Sequence, residues 1–353
     1  MAAAVDLEKG KIEGSPIPVA DRVMMGFTNE PGRAHFAVSD NGTLIYVSGP
    51  EAASRSTMIQ SRLDGSEERL GDNFSILAGA QYSPGGRKIA LSAVKKGEDE
   101  ERVWILDLDR DTWTLLTRSD GRFPAWSPDG SRLAFTTAVS EEQFAVAWAP
   151  ADGSSSPEVL FEALAMAPAW TPDGKSILVQ VLEPGVGWDI GIFEIGSDEQ
   201  PRLLLDEDFD EGKPSLSHDG HWLAYQSDES GRSEVYVRNY PELNRRWQIS
   251  NQGGDDPQWS SDGRELYYRE GQRIMRVAIS DSPEFKPGVA ESLLDLSGPG
   301  SSKMANFRDR SFDVAPNGSG IVFSAEAPPD PEEFELRVVL NWFPELERLV
   351  PTD

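Results

Sequence analysis

The sequence has 353 residues, no cysteine and only three histidines, His35, His218 and His221. Without cysteine the chain cannot form disulfides, thiolate metal sites or a cysteine nucleophile. No apolar run approaches the roughly 18 residues that a transmembrane helix needs, so we predict no membrane insertion within this chain. The N-terminal stretch MAAAVDLEKGKIEG lacks a basic segment followed by a long apolar core, which argues against a signal peptide.

Basic residues are scarce relative to acidic ones, 33 against 60, and the formal net charge is −27. Nucleic acid is therefore not an expected partner, because phosphate binding requires a basic surface. Glycine and proline are abundant, with 32 and 25 copies. This turn-rich composition suits an all-β protein better than a helical one.

One short phrase recurs seven times: an extended run, a turn that contains glycine, and an alternating apolar run. Two examples are FPAWSPDGSRLAFTT at Phe123–Thr137 and DPQWSSDGRELYYRE at Asp256–Glu270. The turn glycines are Gly42, Gly86, Gly130, Gly174, Gly220, Gly263 and Gly318. Their spacings of 44, 44, 44, 46, 43 and 55 residues are typical of propeller blades.

Each repeat has the pattern of four short antiparallel strands, and an Asp-Gly or Asn-Gly turn joins the first two. The sequence therefore predicts one domain over residues 1–353, an all-β, seven-bladed β-propeller of four-stranded antiparallel blades. A single blade cannot bury its own faces, so neighbouring blades must cover them. Aromatic residues of the first strands are predicted to pack between blades; they are Tyr82, Trp126, Trp170 and Trp259.

The two ends of the chain predict how the ring closes. After Gly318, strands are expected at Gly320–Ala325 and Glu335–Leu340, and no fourth strand follows. We predict that the N-terminal strand Ser15–Asp21 completes this last blade and pairs its open edge. The tail NWFPELERLVPTD carries apolar residues at helical spacing, which predicts a short C-terminal helix.

With the repeats aligned, the chain resembles TolB-like, WD-repeat-like propellers, whose signature is matched by PAWSPDGSRLAF. Segments 227–241, 247–269 and 338–353 resemble the C-terminal propeller of bacterial membrane-anchored serine/threonine protein kinases. The pattern departs at Pro84–Gly86, which reads Pro-Gly-Gly, and at Leu216, where other repeats have tryptophan. The resemblance implies a kinase-associated sensor or interaction module placed outside the cytoplasmic membrane; without such an anchor, we expect the chain in the cytoplasm.

Motifs of two catalytic classes are missing from the sequence. It contains no glycine-rich nucleotide loop before a strand lysine, no His-Arg-Asp loop and no Asp-Phe-Gly, so this chain is not itself a kinase. It also lacks the Gly-x-Ser-x-Gly elbow of serine hydrolases. The absence of these motifs does not exclude other classes of enzyme.

The run LDLDRDTW places Asp107, Asp109 and Asp111 at alternate positions. This spacing can begin a calcium loop, although the glycine and distal glutamate of an EF-hand are absent. Aspartate at a strand end also caps the following turn, so a Ca²⁺ site and a structural cap are both open interpretations. No other cofactor is predicted. The turn aspartates of four repeats are interpreted as caps; they are Asp129, Asp173, Asp219 and Asp262.

The positions just before the first-strand aromatics are expected to face the central channel, where propellers bind ligands. The polar residues there are Gln81, Gln258 and Asp313, our candidates for a binding site at the channel mouth. The alternative is that this position mainly selects small side chains, so that the blades can converge on the axis.

We therefore predict a non-catalytic binding, sensor or scaffolding propeller that recognises a protein, peptide or small ligand at its channel mouth. The alternative is a propeller enzyme of the metal-assisted hydrolase or lactonase type, with an ion in the channel. That alternative rests on analogy between folds.

Overall fold

The computed structural model describes residues 2–6, 11–17, 20, 36–48, 56–71, 73–98, 100–140, 143–183, 187–280, 284–298, 300–305, 310–326 and 335–349. The chain divides into two compact units, Met1–Arg55 with Ala327–Asp353, and Ser56–Glu326, where the sequence predicts a single domain. Within the described ranges, no helix is long and apolar enough to cross a membrane.

The described residues are almost entirely strands and turns. In chain order the strands are β1 (Ala2–Asp6), β2 (Lys11–Ile17), β3 (Phe36–Val38), β4 (Leu44–Ser48), β5 (Ser56–Arg62), β6 (Glu67–Leu70), β7 (Phe74–Tyr82), β8 (Lys88–Lys95), β9 (Glu101–Asp107), β10 (Thr112–Leu115), β11 (Arg122–Trp126), β12 (Arg132–Ala138), β13 (Phe144–Pro150), β14 (Glu158–Glu162), β15 (Ala165–Trp170), β16 (Ser176–Glu183), β17 (Gly187–Glu194), β18 (Arg202–Leu205), β19 (Glu211–Leu216), β20 (Trp222–Ser227), β21 (Glu234–Asn239), β22 (Arg246–Gln248), β23 (Asp255–Trp259), β24 (Glu265–Glu270), β25 (Arg273–Ser280), β26 (Lys286–Pro287), β27 (Glu291–Asp295), β28 (Phe312–Val314), β29 (Gly320–Glu326) and β30 (Glu335–Val339). The helix α1 spans Trp342–Leu349.

Six antiparallel sheets make up the unit Ser56–Glu326. The first four follow the chain without interruption, as β7–β10, β11–β14, β15–β18 and β19–β22. The fifth contains β23–β25 and ends in β26 and β27, which both pair with β25. The sixth combines distant parts of the chain in the order β28, β29, β5, β6. The prediction of an all-β propeller built from four-stranded antiparallel sheets is confirmed.

Apolar clusters between successive sheets close these six into a ring. Trp126 packs with Ile105 between the first and second sheets, and three further clusters join the second sheet to the third, the third to the fourth and the fourth to the fifth. Tyr267 packs with Phe323 between the fifth and sixth. Tyr82 packs with Val322 between the sixth and first. Every ring sheet is thus covered on both faces, which a single sheet cannot achieve.

The turn after each first strand is held by a repeated set of hydrogen bonds. In the second sheet, the Ser127 hydroxyl donates to Asp129 Oδ1 at 2.6 Å, and the same oxygen accepts the Ser131 N–H at 3.0 Å. These bonds favour the carboxylate and lower the pKa of Asp129 to about 2. Asp173, Asp219 and Asp262 also accept bonds from a neighbouring hydroxyl and a backbone N–H. The interpretation of these aspartates as turn caps is confirmed.

The other unit contains a hairpin and a small sheet. Strands β1 and β2 pair with each other, and β4 lies between β3 and β30. Leu44 and Tyr46 of β4 pack against Trp342 and Leu346 of the helix, so the predicted C-terminal helix is confirmed. With this sheet, seven sheets of three or more strands correspond to the seven turn glycines, as predicted, and six of them form the ring of Ser56–Glu326.

The predicted closure is wrong in the strands it uses. β29 pairs with β5, with Ser324 opposite Met58 and Glu326 opposite Ser56. The segment expected as its partner, β30, pairs with β4 instead. Residues 15–17 lie in β2, opposite β1, and residues 18, 19 and 21 lie outside the described residues.

Burial explains why the ring takes β5 rather than β30. Strands β29 and β5 are buried at nearly every position, as a ring strand between two neighbours must be. Strand β30 is exposed over Glu335–Val338, so it is suited to a sheet with an open face. The β5 sequence STMIQSR does not alternate regularly between apolar and polar residues, so pattern alone does not predict its place in the ring.

The ring closure predicts that residues 56 and 326 can be joined covalently. Opposite residues of antiparallel strands lie about 4.5–5.5 Å apart at Cα, within the range of disulfides. The double variant Ser56→Cys, Glu326→Cys should therefore cross-link on oxidation and gain about 2–5 kcal/mol in stability, because the bond closes a long loop. Mobility on a non-reducing gel and thermal unfolding measure the two effects.

The native chain has no cysteine, so either single variant serves as a control and should form no internal bond. Failure of the double variant to cross-link under oxidising conditions would contradict the observed closure.

Candidate functional site

The first strands of five of the six ring sheets bulge where they line the central channel. Register shifts occur in β7, β11, β15, β19 and β23. At each shift one residue takes a left-handed backbone conformation, with φ between +49° and +69°; these residues are Gly79, Phe123, Ala167, Lys213 and Asp256. Positive φ is uncommon outside glycine and is maintained by the surrounding structure. The bulges thus set which side chains reach the channel.

A cavity of about 510 Å³ opens at the turn end of the first strands. We call it the mouth cavity. Its wall combines first-strand aromatics with prolines of the turns that follow; these residues are Tyr82, Trp126, Trp170, Trp259, Pro84, Pro128, Pro172 and Pro316. Polar groups among its lining residues include His218, Asp262 and Glu265. The wall thus combines aromatic and proline side chains with many polar and charged groups.

A narrower cavity of about 20 Å³ lies at the level of the bulges. We call it the inner cavity. Gln81, Ala125, Ala169 and Arg310 line both cavities, so the two are consecutive sections of the channel. All five positive-φ residues named above, Lys213 and Asp256 among them, also line it.

All three sequence-predicted site residues line the mouth cavity, and each also bonds across a sheet interface. Gln81 Oε1 accepts the Trp126 N–H at 2.9 Å. Gln258 donates its amide N–H to the Phe312 carbonyl. Asp313 Oδ2 accepts the Tyr82 N–H at 2.7 Å. The structure therefore brings these side chains together, and ligand binding by them stays a prediction.

The first-strand aromatics pack between sheets and also bond to the neighbouring strand. The indole N–H groups of Trp126, Trp170 and Trp259 donate to the carbonyls of Gln81, Ala125 and Ser215, at 3.1, 3.0 and 3.1 Å. The Tyr82 hydroxyl accepts from Gln60 Nε2 at 2.8 Å, and burial raises the pKa of Tyr82 to about 12. Their predicted role as residues packed between blades is confirmed.

Burial makes Asp313 the most perturbed acid of the mouth. Desolvation raises its pKa to about 7, against the opposing effects of Arg310 and the Tyr82 N–H. Arg310 Nη1 lies 3.6 Å from Asp313 Oδ1, too far for a direct hydrogen bond. At neutral pH this acid is therefore divided between its charged and neutral forms.

Sequence reasoning missed three charged residues that line the channel, Lys213, Asp256 and Arg310, and the acid Asp255 beside Lys213. The Lys213 side chain is 9% exposed, and its Nζ lies 4.0 Å from Asp255 Oδ1. Asp256 Oδ2 accepts the Ser311 hydroxyl at 2.9 Å. Their sequence positions could have indicated the channel for two of them. Lys213 and Asp256 each precede a proline and lie three residues before the first-strand position occupied by Leu216 or Trp259.

The candidate calcium residues form a turn at the end of β9. Asp107 Oδ1 accepts the N–H groups of Asp109 and Arg110, both at 3.1 Å. Asp109 lies 3.9 Å from the exposed Arg87, and Asp111 has φ +49°. Among the described residues, no three His, Asp or Glu side chains are grouped as metal ligands. The geometry supports the structural cap, and the Ca²⁺ interpretation gains no support from it.

The fold and channel define a β-propeller with an open axial cavity. The chain matches the TolB beta propeller domain family, PD40, over residues 123–333. This match covers more than half of the chain, which therefore belongs to that family. A search of curated proteins finds no significant match.

Solved propellers share the fold at low sequence identity. A putative TolB from Agrobacterium tumefaciens has a TM-score of 0.60 at 18% identity, over 78% of this chain and 99% of that chain. TolB from Acinetobacter baumannii has a TM-score of 0.52 at 19% identity, over 68% and 65%. The tricorn protease has a TM-score of 0.52 at 15% identity, over 77% of this chain and 27% of its own.

Replacing Gln81 by leucine should destabilise the ring. Gln81→Leu removes the acceptor of the buried Trp126 N–H, and an unpaired buried amide costs about 1–3 kcal/mol. Denaturant unfolding measures the loss. Exposed Gln252 gives a matched control, since Gln252→Leu should change stability by less than about 0.5 kcal/mol. Equal effects of the two substitutions would contradict the bonding role of Gln81.

Asp313 should make stability fall as pH rises. Its pKa moves from an ordinary 3.8 to about 7 on folding, so the folded state binds more protons between these values. The free energy of unfolding of the native protein, relative to Asp313→Asn, should decrease from about pH 4 to pH 7 and then level off. Denaturant unfolding across this range measures the difference.

Asp262 provides the control for this pH effect. Hydrogen bonding to Ser260 lowers the pKa of Asp262, so its stabilising contribution is lost only below the ordinary value of 3.8. The difference between native protein and Asp262→Asn should stay level from pH 5 to pH 8. A level difference for Asp313→Asn as well would show that Asp313 is not held in its neutral form.

Proposed function

We propose that this propeller binds an extended segment of a protein or peptide in its mouth cavity and does not act as a catalyst. The observation that carries the proposal is the cavity of about 510 Å³, within the usual size of ligand pockets. Its position at the axis lets all six ring sheets contribute to one site. Loops and turns on a rigid scaffold are common locations for recognition.

The chemistry of the cavity wall suits a polypeptide. Trp170 and Trp259 are half-buried at the wall, so part of each ring is available for contact while its N–H is held by the neighbouring sheet. Aromatic side chains supply large contact areas at low entropic cost and are enriched in protein interfaces. The polar groups of His218 and Ser261 add hydrogen-bonding capacity at the rim.

Membership of the TolB beta propeller family supports a protein-binding role at a coarse level. The finer part of the proposal is a sensor or scaffolding module attached to a serine/threonine kinase and placed outside the cytoplasmic membrane. Its support is the resemblance of segments 227–241, 247–269 and 338–353 to the propellers of such kinases. The full reading frame tests this part directly, because a kinase domain and a membrane span should lie before Met1.

The alternative of a metal-assisted propeller enzyme remains a prediction from the sequence. No specific contact in the described residues favours it over binding. A tightly held channel ion with three or more oxygen ligands would favour it.

Blocking the mouth should abolish peptide binding. Asn317 is exposed in the lining of the mouth cavity, and Asn317→Cys creates the single thiol of the chain. Attachment of a polyethylene glycol maleimide there should reduce retention of a biotinylated random hexapeptide pool at least tenfold, because the polymer occupies the opening. Affinity selection followed by mass spectrometry measures retention.

The matched control carries the same polymer on an exposed turn away from the mouth. Ser140 is exposed after β12, at the end of the second sheet opposite the turn that lines the mouth, so modified Ser140→Cys should retain the pool like the native protein. Equal retention by both modified proteins, or no retention by the native protein, would reject peptide binding at the mouth.

A further inference from the structure

We infer that the inner cavity is a carboxylate site, in which Lys213 and Arg310 bind the free C-terminal carboxylate of a peptide that lies in the mouth cavity. This inference rests on the proposed function and adds the chemistry by which the ligand is oriented. The supporting observations are the positions of the two cations, their distances from the nearest acids and the connection between the two cavities.

Both cations line the inner cavity, and neither has a close partner among the residues that the structure describes. Lys213 Nζ lies 4.0 Å from Asp255 Oδ1, and Arg310 Nη1 lies 3.6 Å from Asp313 Oδ1. Both separations exceed a charge-assisted hydrogen bond, which is about 2.7–2.9 Å long. Each cation therefore retains donors that a ligand oxygen can take.

The acids that face these cations neutralise them weakly. Burial raises the pKa of Asp255 and, to about 7, that of Asp313, so desolvation disfavours the charged form of each. Asp255 Oδ1 is buried without a hydrogen bond. Asp256 is committed to the Ser311 N–H and hydroxyl. Lys213, with 9% of its side chain exposed, and Arg310, with 21%, thus face acids that lie no closer than 4.0 and 3.6 Å or that are bonded to other groups.

The backbone fixes where the Lys213 side chain begins. Lys213 sits in the bulge of β19 with φ +49° and precedes Pro214, whose ring restricts the local chain. Its side chain is 9% exposed, so the ammonium has little freedom to reach bulk water. A buried cation held in this way gains most from an anion that enters the channel.

The geometry favours the end of a chain over an internal segment. Arg310 lines both cavities, so a peptide in the mouth cavity can place one terminal group beside it. The inner cavity of about 20 Å³ has room for a group of roughly one or two water molecules. A carboxylate meets both conditions and can accept from guanidinium and ammonium together.

Three pools of N-acetylated hexapeptides test the inference. The first has free C-termini and no Asp or Glu, the second is the same pool with C-terminal amides, and the third is amidated but contains Asp and Glu. We expect the native protein to retain the first pool at least tenfold more strongly than the other two. Affinity selection with mass spectrometry provides the comparison.

Variants of the inner cavity separate binding from folding. Lys213→Met should lower retention of the first pool tenfold or more, because a buried charge partner is lost, whereas Lys213→Arg should keep most of it. Asp255→Asn should increase retention, since it removes a competing anion. Lys175→Met, at an exposed turn lysine outside both cavities, is the matched control and should have no effect. Thermal unfolding confirms that each variant is folded.

The outcomes distinguish this inference from the proposed function. Equal retention of the free and amidated pools, with sensitivity to the blocked mouth, would overturn the carboxylate site and leave peptide binding intact. Retention of the acidic amidated pool would assign the carboxylate to a side chain and overturn the C-terminal assignment. Loss of retention in Asp255→Asn would indicate a merely structural Lys213–Asp255 pair and also overturn the inference.

Discussion

A sheet that is apolar on both faces needs a neighbour on each side, and the ring of Ser56–Glu326 satisfies that need six times. The requirement fixes the rest of the architecture. It brings the first strands close to one axis, where little space is available for their side chains. It also demands links between adjacent sheets, which the indole N–H groups and the carbonyls of the preceding first strand supply. Packing and hydrogen bonding therefore act at the same three tryptophans.

The channel site is a product of this convergence. Each bulge places a residue with left-handed backbone conformation near the axis. This conformation directs polar and charged side chains into the channel, which a regular strand would not do at the same position. Gln81 and Asp313 bind neighbouring sheets and line the cavity at once. Groups that stabilise the ring thus form part of the cavity wall, and a ligand that bonded to them would act on the ring as well.

The repeated phrase predicts the sheets, the turn caps and the aromatic wedges, because these depend on contacts within about 15 residues or on one residue type at a fixed place. The closing strand could not be predicted in this way. Strand β5 reads STMIQSR, without the apolar alternation of the repeated phrase, and its place beside β29 depends on contacts between distant parts of the chain. Gln81, Gln258 and Asp313 were found from position alone. Lys213 and Arg310 were missed, because their place in the wall of the inner cavity depends on the convergence of different sheets.

The pairing of Ser56 with Glu326 has a mechanical consequence. The polypeptide enters the ring and leaves it at adjacent positions of one antiparallel strand pair, β5 and β29. Tension applied to the flanking segments would load the hydrogen bonds of that pair one after another, like a zipper pulled from its end, rather than all together. The core of the ring is distributed over six sheet interfaces, whereas a force on the flanking segments acts first on this one strand pair.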